Sequence, residues 1–465
     1  MMELDQKSTR ALKFFAPQMV TISKSGIFRL ILLLIFIVGG IYALLVQIIE
    51  GHVVTGMRDN VVWGIYIVNF IFFIGISYAG ALISGILHLL RVKWRTPIIR
   101  IAEIITVIST FIGPIYILLC MGRLDRLHHL AVFGRIQSPI IWDVLAISTY
   151  LIGSIIFLYL ASIRDMAALR DYPFESKWRN GVYKFFAVNY RGTSRQNRYL
   201  DRALDTMSAI IIPLAVLVHS VLAWIFGMTL RPGWHSTIFA PYFVVAAVFS
   251  GTGVLIIALW IFRRFYNLKS YITKIHFNYL GIILMILGAL YGYFTFSEYL
   301  TSWYGSETWD MEVLYKLFDT SEYWWWFFFA AFIGVLLPII VILIPKFRNI
   351  NSITAVSVIA VAALWVKRYL IIIPTLETPL LPLQDMRSEY IRYSPTLVEW
   401  LLTFSGVATF FLFFFLFSKL VPIVPVVKAD DSVNYSQLRK TVMKRIIKRK
   451  IKEEKLKEAK KIEHL

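Results

Sequence analysis

The sequence predicts an all-α integral membrane protein with ten transmembrane helices. The chain has 465 residues, 58% of them hydrophobic, and a mean hydropathy of +0.68. This is far more apolar than a water-soluble domain requires, so an ordinary soluble enzyme is excluded. Ten apolar windows can each cross the roughly 30 Å hydrocarbon core. They start near residues 26, 61, 98, 139, 205, 237, 276, 322, 353 and 397.

The distribution of Lys and Arg predicts that both termini are cytoplasmic. With the N-terminus inside, basic residues concentrate in the inner segments 91–100, 164–203 and 263–274 and in the C-terminal tail. Positive residues favour the cytoplasmic side of a membrane. The net charge of +20 therefore reflects topology and does not indicate nucleic-acid binding. The aromatic run 323–326 then falls at the outer interface, where such rings are favoured.

An internal repeat predicts two four-helix bundles. The pattern N-F-x6-S-x2-G beginning at Asn69 in span two recurs as Y-F-x6-S-x2-G beginning at Tyr242 in span six. Four helices separate the copies, so spans two to five and six to nine form parallel units flanked by spans one and ten. The predicted order is a cytoplasmic segment 1–25, the first span and outer loop 26–60, the first bundle with a basic cytoplasmic loop 61–229, the second bundle 230–375, an outer loop and last span 376–426, and a cytoplasmic tail 427–465.

The predicted tail differs in character from the rest of the chain. Residues 427–465 are rich in Lys and Arg, with Ile and Leu at approximately helical spacing, and are predicted to form a basic amphipathic helix. A solvated helix attracted to anionic lipid is the favoured interpretation, and docking to a partner subunit is the alternative.

Ionisable residues inside the spans are the candidates for chemistry, because a charge near the bilayer centre costs about 2.5–3.5 kcal/mol or more. Most of them lie toward the predicted outer ends of their spans: Asp143, Glu298, Lys367, Arg368 and Glu399, with Cys120 closing span three. His219 is near the middle of span five, Asn69 is deep in span two, and Glu103 is near the inner end of span three. Together they predict a site near the outer face and a partial proton relay running inward.

Each candidate also has a structural interpretation. Asp143 could act on the helix dipole, and Glu298 and Glu399 could be solvated at the interface. Lys367 could extend its ammonium outward, Arg368 could form a salt bridge, and His219 could form an interhelical hydrogen bond or transfer protons.

Metal centres are predicted to be absent. One cysteine cannot build an iron–sulfur cluster or a cysteine zinc site. A transmembrane b-type haem generally needs two facing histidines, and His219 has no histidine partner at its depth. Adjacent histidines such as His128 and His129 point apart on a regular element, so a metal pair there is not expected. Any electrons must therefore leave through another subunit.

The loop between spans three and four is the most informative loop. It carries Arg123, Asp125, Arg126, His128 and His129 shortly before Asp143. A solvated loop is the default for such charges. Three arginines on a side depleted of positive charge instead favour a docking surface or a gate.

Several segments carry a family resemblance. WGIYIVNFIFFIGISYAGALIS, MGRLDRLHHL with SPIIWDVLAISTY, PGWHSTIFAPYFVVAAVFSG, and FSEYLTSWYG with VKRYLIIIP resemble the NrfD/polysulfide-reductase membrane-subunit superfamily. The match is closest to the quinol-handling membrane subunit of alternative complex III and to related subunits of sulfur-metabolising redox complexes. It covers roughly residues 25–425.

The resemblance implies a haem-free subunit of a respiratory redox complex in a prokaryotic cytoplasmic membrane. Such a subunit binds a lipid quinone, menaquinone-type by analogy, near the outer face and exchanges electrons with an outer-face iron–sulfur subunit. Other partners it implies are a cytochrome c or molybdopterin-type subunit and a second related membrane subunit. The chain would be one subunit of an oxidoreductase rather than a complete enzyme. Coupling to proton translocation is a further expectation.

The resemblance also assigns residues. Asp143 matches the aspartate at the quinone site, and His219, Glu298 and Arg368 match positions proposed for proton movement. Cys120 stands where the alternative-complex branch has a histidine, so His128 or Asp125 could substitute, while Arg123 and Arg126 could hold the partner or the site loop. The alternative function is a secondary transporter, because ten helices, a repeat and buried charges are also found there.

Overall fold

The computed structural model describes residues 6–229, 231–378 and 391–426, and every regular element in these residues is a helix. Ten helices are long and apolar enough to cross a membrane, which confirms the predicted fold class. In chain order they are span 1 (Lys24–Glu50), span 2 (Gly64–Leu89), span 3 (Thr96–Cys120), span 4 (Pro139–Arg170), span 5 (Ser194–Gly227), span 6 (Phe239–Phe265), span 7 (Lys274–Gly305), span 8 (Trp324–Leu343), span 9 (Ile350–Leu376) and span 10 (Leu397–Leu420). The predicted tail 427–465 lies outside the described residues.

Span 5 begins well before its apolar window. The sequence predicted a start near residue 205, whereas the helix starts at Ser194. Its first residues are polar, and Thr193 caps them by accepting a hydrogen bond from the Gln196 backbone N–H at 3.3 Å. The Gln196 side chain completes a capping box by bonding the Thr193 N–H. A hydropathy window does not register this extension because only the later part of the helix is apolar.

The spans pack in two rings. Spans 2, 3, 4 and 5 contact one another in a closed cycle, as do spans 6, 7, 8 and 9. The rings meet where span 2 packs on spans 6 and 9 and where span 5 packs on span 6. The repeated glycines serve different contacts. Gly80 lies against Ala102 and Thr106 of span 3, whereas Gly253 lies against Val361 and Ser357 of span 9.

Spans 1 and 10 form a pair beside the two rings. Span 10 packs along span 1 and also contacts spans 2 and 3. The amphipathic helix Gln6–Val20 precedes span 1 and packs on span 10 and span 4. Spans 1 and 10 therefore lie outside the cycles of contacts that define the rings.

A buried ion pair fixes the segment that follows span 10. Arg100 of span 3 pairs with Asp165 of span 4, and both side chains are 1% exposed. Asp165 also accepts a hydrogen bond from the Val426 backbone N–H at 2.8 Å, and Arg100 donates to the Pro422 carbonyl at 3.1 Å. The pair thus satisfies backbone groups of 421–426 while each charge compensates the other.

Span 8 is interrupted by a wide turn. Residues Phe329–Leu336 form a π-helix between the α-helical segments Trp324–Phe328 and Leu337–Leu343. Within it Gly334 packs so closely on span 9 that an added Cβ would overlap the Cβ of Ala363. Glycine is required here by close approach, and π-helical turns are rare and frequent at functional sites.

Candidate functional site

Polar side chains form one continuous face of span 7. Tyr291, Thr295, Glu298 and Tyr299 recur at helical spacing, and the first three are buried while facing spans 6 and 9. Glu298 lies seven residues before the helix end at Gly305, about 10 Å along the axis. This face brings a carboxylate and two phenols to the interior of the second ring.

Glu298 lines a cavity of about 50 Å³ at the predicted outer end of the second ring. One carboxylate oxygen accepts a hydrogen bond from Ser236 at 2.7 Å, and the other is buried without a partner among the described residues. Lys367 of span 9 lines the same cavity and is 3% exposed. A cavity of this size has room for water, which would satisfy the open oxygen.

Lys367 does not extend outward, so the snorkelling interpretation is wrong. Its ammonium donates a hydrogen bond to the Tyr299 hydroxyl and lies 4.5 Å from the centroid of that ring. The π face and the hydroxyl replace part of the water lost on burial. The lysine therefore lies inside the ring of helices beside a carboxylate, where a proton can be held by either group.

A second, smaller cavity continues inward from the first. It measures about 10 Å³, room for about one water molecule, and shares Tyr242, Lys367 and Ile371 with the outer cavity. The Tyr242 hydroxyl donates to the Tyr291 hydroxyl at 3.1 Å and is 3.0 Å from the Thr295 hydroxyl. Hydroxyl groups thus connect the two cavities.

Arg368 and His219 line the inner cavity together. The Arg368 guanidinium donates to the Ser250 hydroxyl at 3.0 Å and to the Leu364 carbonyl at 2.9 Å. It lies against Gly75 of span 2, where a Cβ would meet its Nη2 at 2.6 Å. No carboxylate pairs with Arg368 in the described chain, so a structural salt bridge, one of the alternatives for this residue, is not formed there.

His219 is 1% exposed, and neither ring nitrogen makes a hydrogen bond of good geometry with the described residues. Its ring lies 4.5 Å from the ring of Tyr78, whose hydroxyl is also unpartnered there. Buried polar atoms are normally satisfied, so these atoms mark places where water or a ligand can bind. The interhelical hydrogen bond considered for His219 is therefore not made within the described chain.

Asp143 lies in the first ring, apart from these cavities. It shares the buried face of span 4 with Ala146, Ile147 and Tyr150, so its side chain faces the ring interior and not the acyl chains. The carboxylate is 7% exposed, and its Oδ1 has no hydrogen-bond partner among the described residues. Neither the 50 Å³ cavity nor the 10 Å³ cavity is lined by Asp143.

The loop before Asp143 is exposed and internally paired. The Arg123 guanidinium donates twice to Asp125, at 3.0 Å in each case, and this hydrogen bonding lowers the pKa of Asp125. His128 Nδ1 is 2.9 Å from the Asp125 carbonyl oxygen. Arg126 is exposed, and none of these loop residues forms an ion pair or hydrogen bond with Asp143 in the described structure.

Three other candidates have structural contacts. Asn69 donates to the Thr403 hydroxyl at 2.7 Å and accepts from the Trp365 indole at 2.9 Å, tying span 2 to spans 9 and 10. Cys120 donates its thiol to the Ile117 carbonyl. Glu399 is fully buried in the capping box of span 10 and accepts from the Tyr393 hydroxyl at 2.6 Å, so it is not solvated.

The outer cavity opens beside a group of potential metal ligands. His235, Glu307 and Asp310 offer ligand atoms that all lie within 4.8 Å of one another. Asp310 lines the cavity that contains Glu298 and accepts the Gly233 backbone N–H at 2.9 Å. The group is largely exposed, and we assign it only as the polar mouth of the cavity.

The structure therefore brings His219, Glu298 and Arg368 to two adjoining cavities, together with Lys367. It does not bring Asp143, Cys120 or the loop residues to them. Sequence reasoning missed the tyrosines Tyr242, Tyr291 and Tyr299. Their signal was the recurrence of phenol, hydroxyl and carboxylate groups on one face of span 7, a pattern that a lipid-facing helix has no reason to keep.

Polar groups buried inside adjoining rings of apolar helices define a membrane protein that handles charge within the bilayer. The model of the family described as "Polysulphide reductase, NrfD" matches residues 53–379, and the chain belongs to this family. It is a multi-pass integral membrane protein of a kind found in prokaryotic membranes.

Three curated relatives are subunits of oxidoreductases. The chain is similar to a putative membrane subunit of dimethyl sulfoxide reductase from Halobacterium salinarum, at 28% identity over 50% of this chain and 51% of that relative. It is also similar to the Hdr-like menaquinol oxidoreductase integral membrane subunit of Archaeoglobus fulgidus, at 24% identity over 80% and 87%. A subunit of selenate reductase from Mesobacillus selenatarsenatis is 23% identical over 86% and 95%. The first match thus spans about half the length of that relative.

Proposed function

We propose that the chain is the quinone-handling membrane subunit of a multisubunit respiratory redox complex. The observation that carries this proposal is Asp143, a buried carboxylate on the interior face of span 4 whose Oδ1 lacks a partner among the described residues. An unsatisfied buried acceptor is costly, and a ligand that hydrogen-bonds to it would remove the cost. The name of the Archaeoglobus relative, a menaquinol oxidoreductase subunit, supports a menaquinone-type ligand.

The residues around Asp143 fit a quinone head group. A protonated carboxyl can donate to a carbonyl oxygen, and a carboxylate can accept from a hydroxyl, so Asp143 can bind either redox form. When bound, the quinone supplies a carrier of two electrons and two protons. Asp143 holds one proton at its carboxylate, and the apolar neighbours on span 4 keep bulk water away.

We assign proton movement to the two cavities of the second ring. Glu298, Lys367 and the Tyr299 hydroxyl are groups that can hold a proton near the predicted outer end. The hydroxyls of Tyr242 and Tyr291 lead from there to the inner cavity, which Arg368 and His219 line. Water in these cavities would bridge groups that do not touch directly.

Electrons are proposed to leave through a docked iron–sulfur subunit on the predicted outer face. The exposed loop with Arg123, Asp125 and Arg126 is the surface assigned to that contact. The names of the three relatives, each a subunit of a larger enzyme, support the presence of partner chains. We likewise propose that no haem is held by this chain.

The test is Asp143→Asn in the complex purified with its native partners. The amide keeps the shape of the side chain but cannot take up a proton, so quinol-coupled turnover should fall by about 10²–10⁴-fold while assembly is retained. Asp59→Asn, in an exposed loop, is the matched control and should leave turnover unchanged. Normal turnover of an assembled Asp143→Asn complex would reject the assignment.

A further inference from the structure

A long apolar cavity of about 900 Å³ lies between the span 1–span 10 pair and spans 2, 6 and 9. Its wall follows span 10 from Trp400 to Lys419, about 28 Å of helix at 1.5 Å per residue. This length is close to the roughly 30 Å thickness of the hydrocarbon core. Aliphatic and aromatic side chains form nearly all of the lining.

This cavity is separate from the proposed proton-handling groups. Phe72 forms part of its wall, and the Arg368 guanidinium lies 5.5 Å from the centroid of that ring. Neither Arg368 nor His219 lines the large cavity. A molecule bound in it would therefore contact the rings from the side of spans 1 and 10.

The charged groups of the lining lie at one end. Arg29 of span 1 stacks its guanidinium 3.8 Å from the centroid of Phe265 and donates from Nε to the Ser25 carbonyl at 2.9 Å. Lys419 donates to the backbone carbonyls of Gln18 and Thr21 at 2.8 and 2.7 Å. Neither cation pairs with a carboxylate in the described chain, so both charges remain uncompensated there.

The backbone at this end also favours an anion. Ser23 and Gly26, at the N-terminus of span 1, line the cavity beside Arg29. The unpaired N–H groups and positive dipole end of a long helix attract phosphate. Two cations and a helix N-terminus thus converge on one end of an apolar cavity about as long as the bilayer core is thick.

We propose that this cavity binds an anionic glycerophospholipid, with its phosphate at Arg29 and Lys419 and its acyl chains along spans 6, 9 and 10. Basic pockets between transmembrane helices are known to hold anionic lipid head groups. A lipid quinone has an uncharged head group and would leave both cations uncompensated. An apolar partner helix would do the same, so charge complementarity selects the lipid.

The test measures lipid retained by the complex after detergent washing, by native mass spectrometry and by analysis of the organic extract. The wild-type complex should retain about one anionic phospholipid per chain. Each cation near a membrane surface contributes about 1 kcal/mol, so Arg29→Gln should weaken retention about 5-fold and Arg29→Gln with Lys419→Gln about 30-fold. Arg264→Gln, an exposed cation at the end of span 6 outside the lining, should leave retention unchanged.

A second variant tests the cavity without changing charge. Ala362 lines the cavity on span 9, and Ala362→Trp would fill space that the acyl chains need. It should lower retention of the lipid while the thermal stability of the complex shows that the chain is folded. Equal retention in all variants, a neutral quinone recovered in place of phospholipid, or a partner helix seen in the cavity would each overturn the proposal.

Discussion

Asp143 and Glu298 are both buried carboxylates in the outer parts of their spans, yet their surroundings differ. Glu298 has Ser236 on one oxygen, a lysine in the same cavity and room for water. Asp143 is equally buried, but its Oδ1 meets no donor among the described residues. One carboxylate is surrounded by other groups that exchange protons, whereas the other is left open to a ligand.

The difference teaches that burial alone does not identify a role. Both residues cost free energy to bury, and the sequence marks both as candidates for that reason. What separates them is the chemistry of their neighbours on adjacent helices. The following changes are ordered from the largest expected effect to the smallest.

Glu298→Gln tests whether the second ring moves protons without binding quinol. The amide oxygen can still accept from Ser236, but the titratable group is lost. We expect kcat to fall about 100-fold with KM within about twofold, whereas Asp143→Asn should also raise KM. Glu312→Gln, exposed on the helix Thr308–Phe318, is the control and should leave both constants unchanged. A rise in KM for Glu298→Gln would merge the two roles.

His219→Ala tests whether protons continue inward from the cavities. We expect vectorial proton movement in sealed vesicles to fall about tenfold, while quinol turnover with an uncoupler stays within about twofold. Measurements with a pH-sensitive dye in matched vesicles would give both quantities, with His129→Ala in the exposed loop as the control. An unchanged pH response in the His219 variant would remove this residue from the proton path.

Asn69→Leu tests a polar residue that we assign to packing. It loses the bonds to Thr403 and Trp365 and leaves their polar atoms buried, which should cost about 1–3 kcal/mol and lower Tm by a few degrees. Thr403→Val breaks only one of these bonds and should cost less. Turnover per folded complex should not change in either variant. Loss of turnover with normal Tm would place Asn69 in the site.

Arg123→Gln should have the smallest effect on the chain itself. The Arg123–Asp125 pair is exposed, so no measurable change in Tm is expected. Because the pKa of Asp125 is lowered, the pair persists at neutral pH and is lost only as the pH falls through that lowered pKa. If the loop docks a partner, its association should weaken several-fold at low salt and converge with wild type at about 1 M salt. Equal association at low salt would exclude Arg123 from the contact.

The fold could be read from the sequence because hydropathy is a strong signal for long apolar helices. Nine span starts agree with the structure to within three residues, and span 5 differs because its first residues are polar. The candidate charges were found for the same reason, since ionisable residues are rare in apolar windows. Lys367 was misassigned because a sequence does not say whether a long side chain turns outward or inward.

The arrangement of the site needed the structure. The contact of Lys367 with Tyr299 joins spans 7 and 9, and that of Asn69 with Thr403 joins spans 2 and 10. Such contacts depend on helix rotation and on which spans are neighbours, neither of which a hydropathy pattern specifies. Tyrosines passed unnoticed because they are common at membrane interfaces for other reasons.

The π-helical turn of span 8 has a mechanical consequence. By accommodating an additional residue in the turn, Phe329–Leu336 offsets the helical phase of the aromatic segment Trp324–Phe328 from that of Leu337–Leu343. Removing one residue there would rotate one part against the other by about 100°. Gly334 would then leave Ala363, and span 9, which carries Lys367 and Arg368 one turn further along, would lose the contact that sets the height of these two cations.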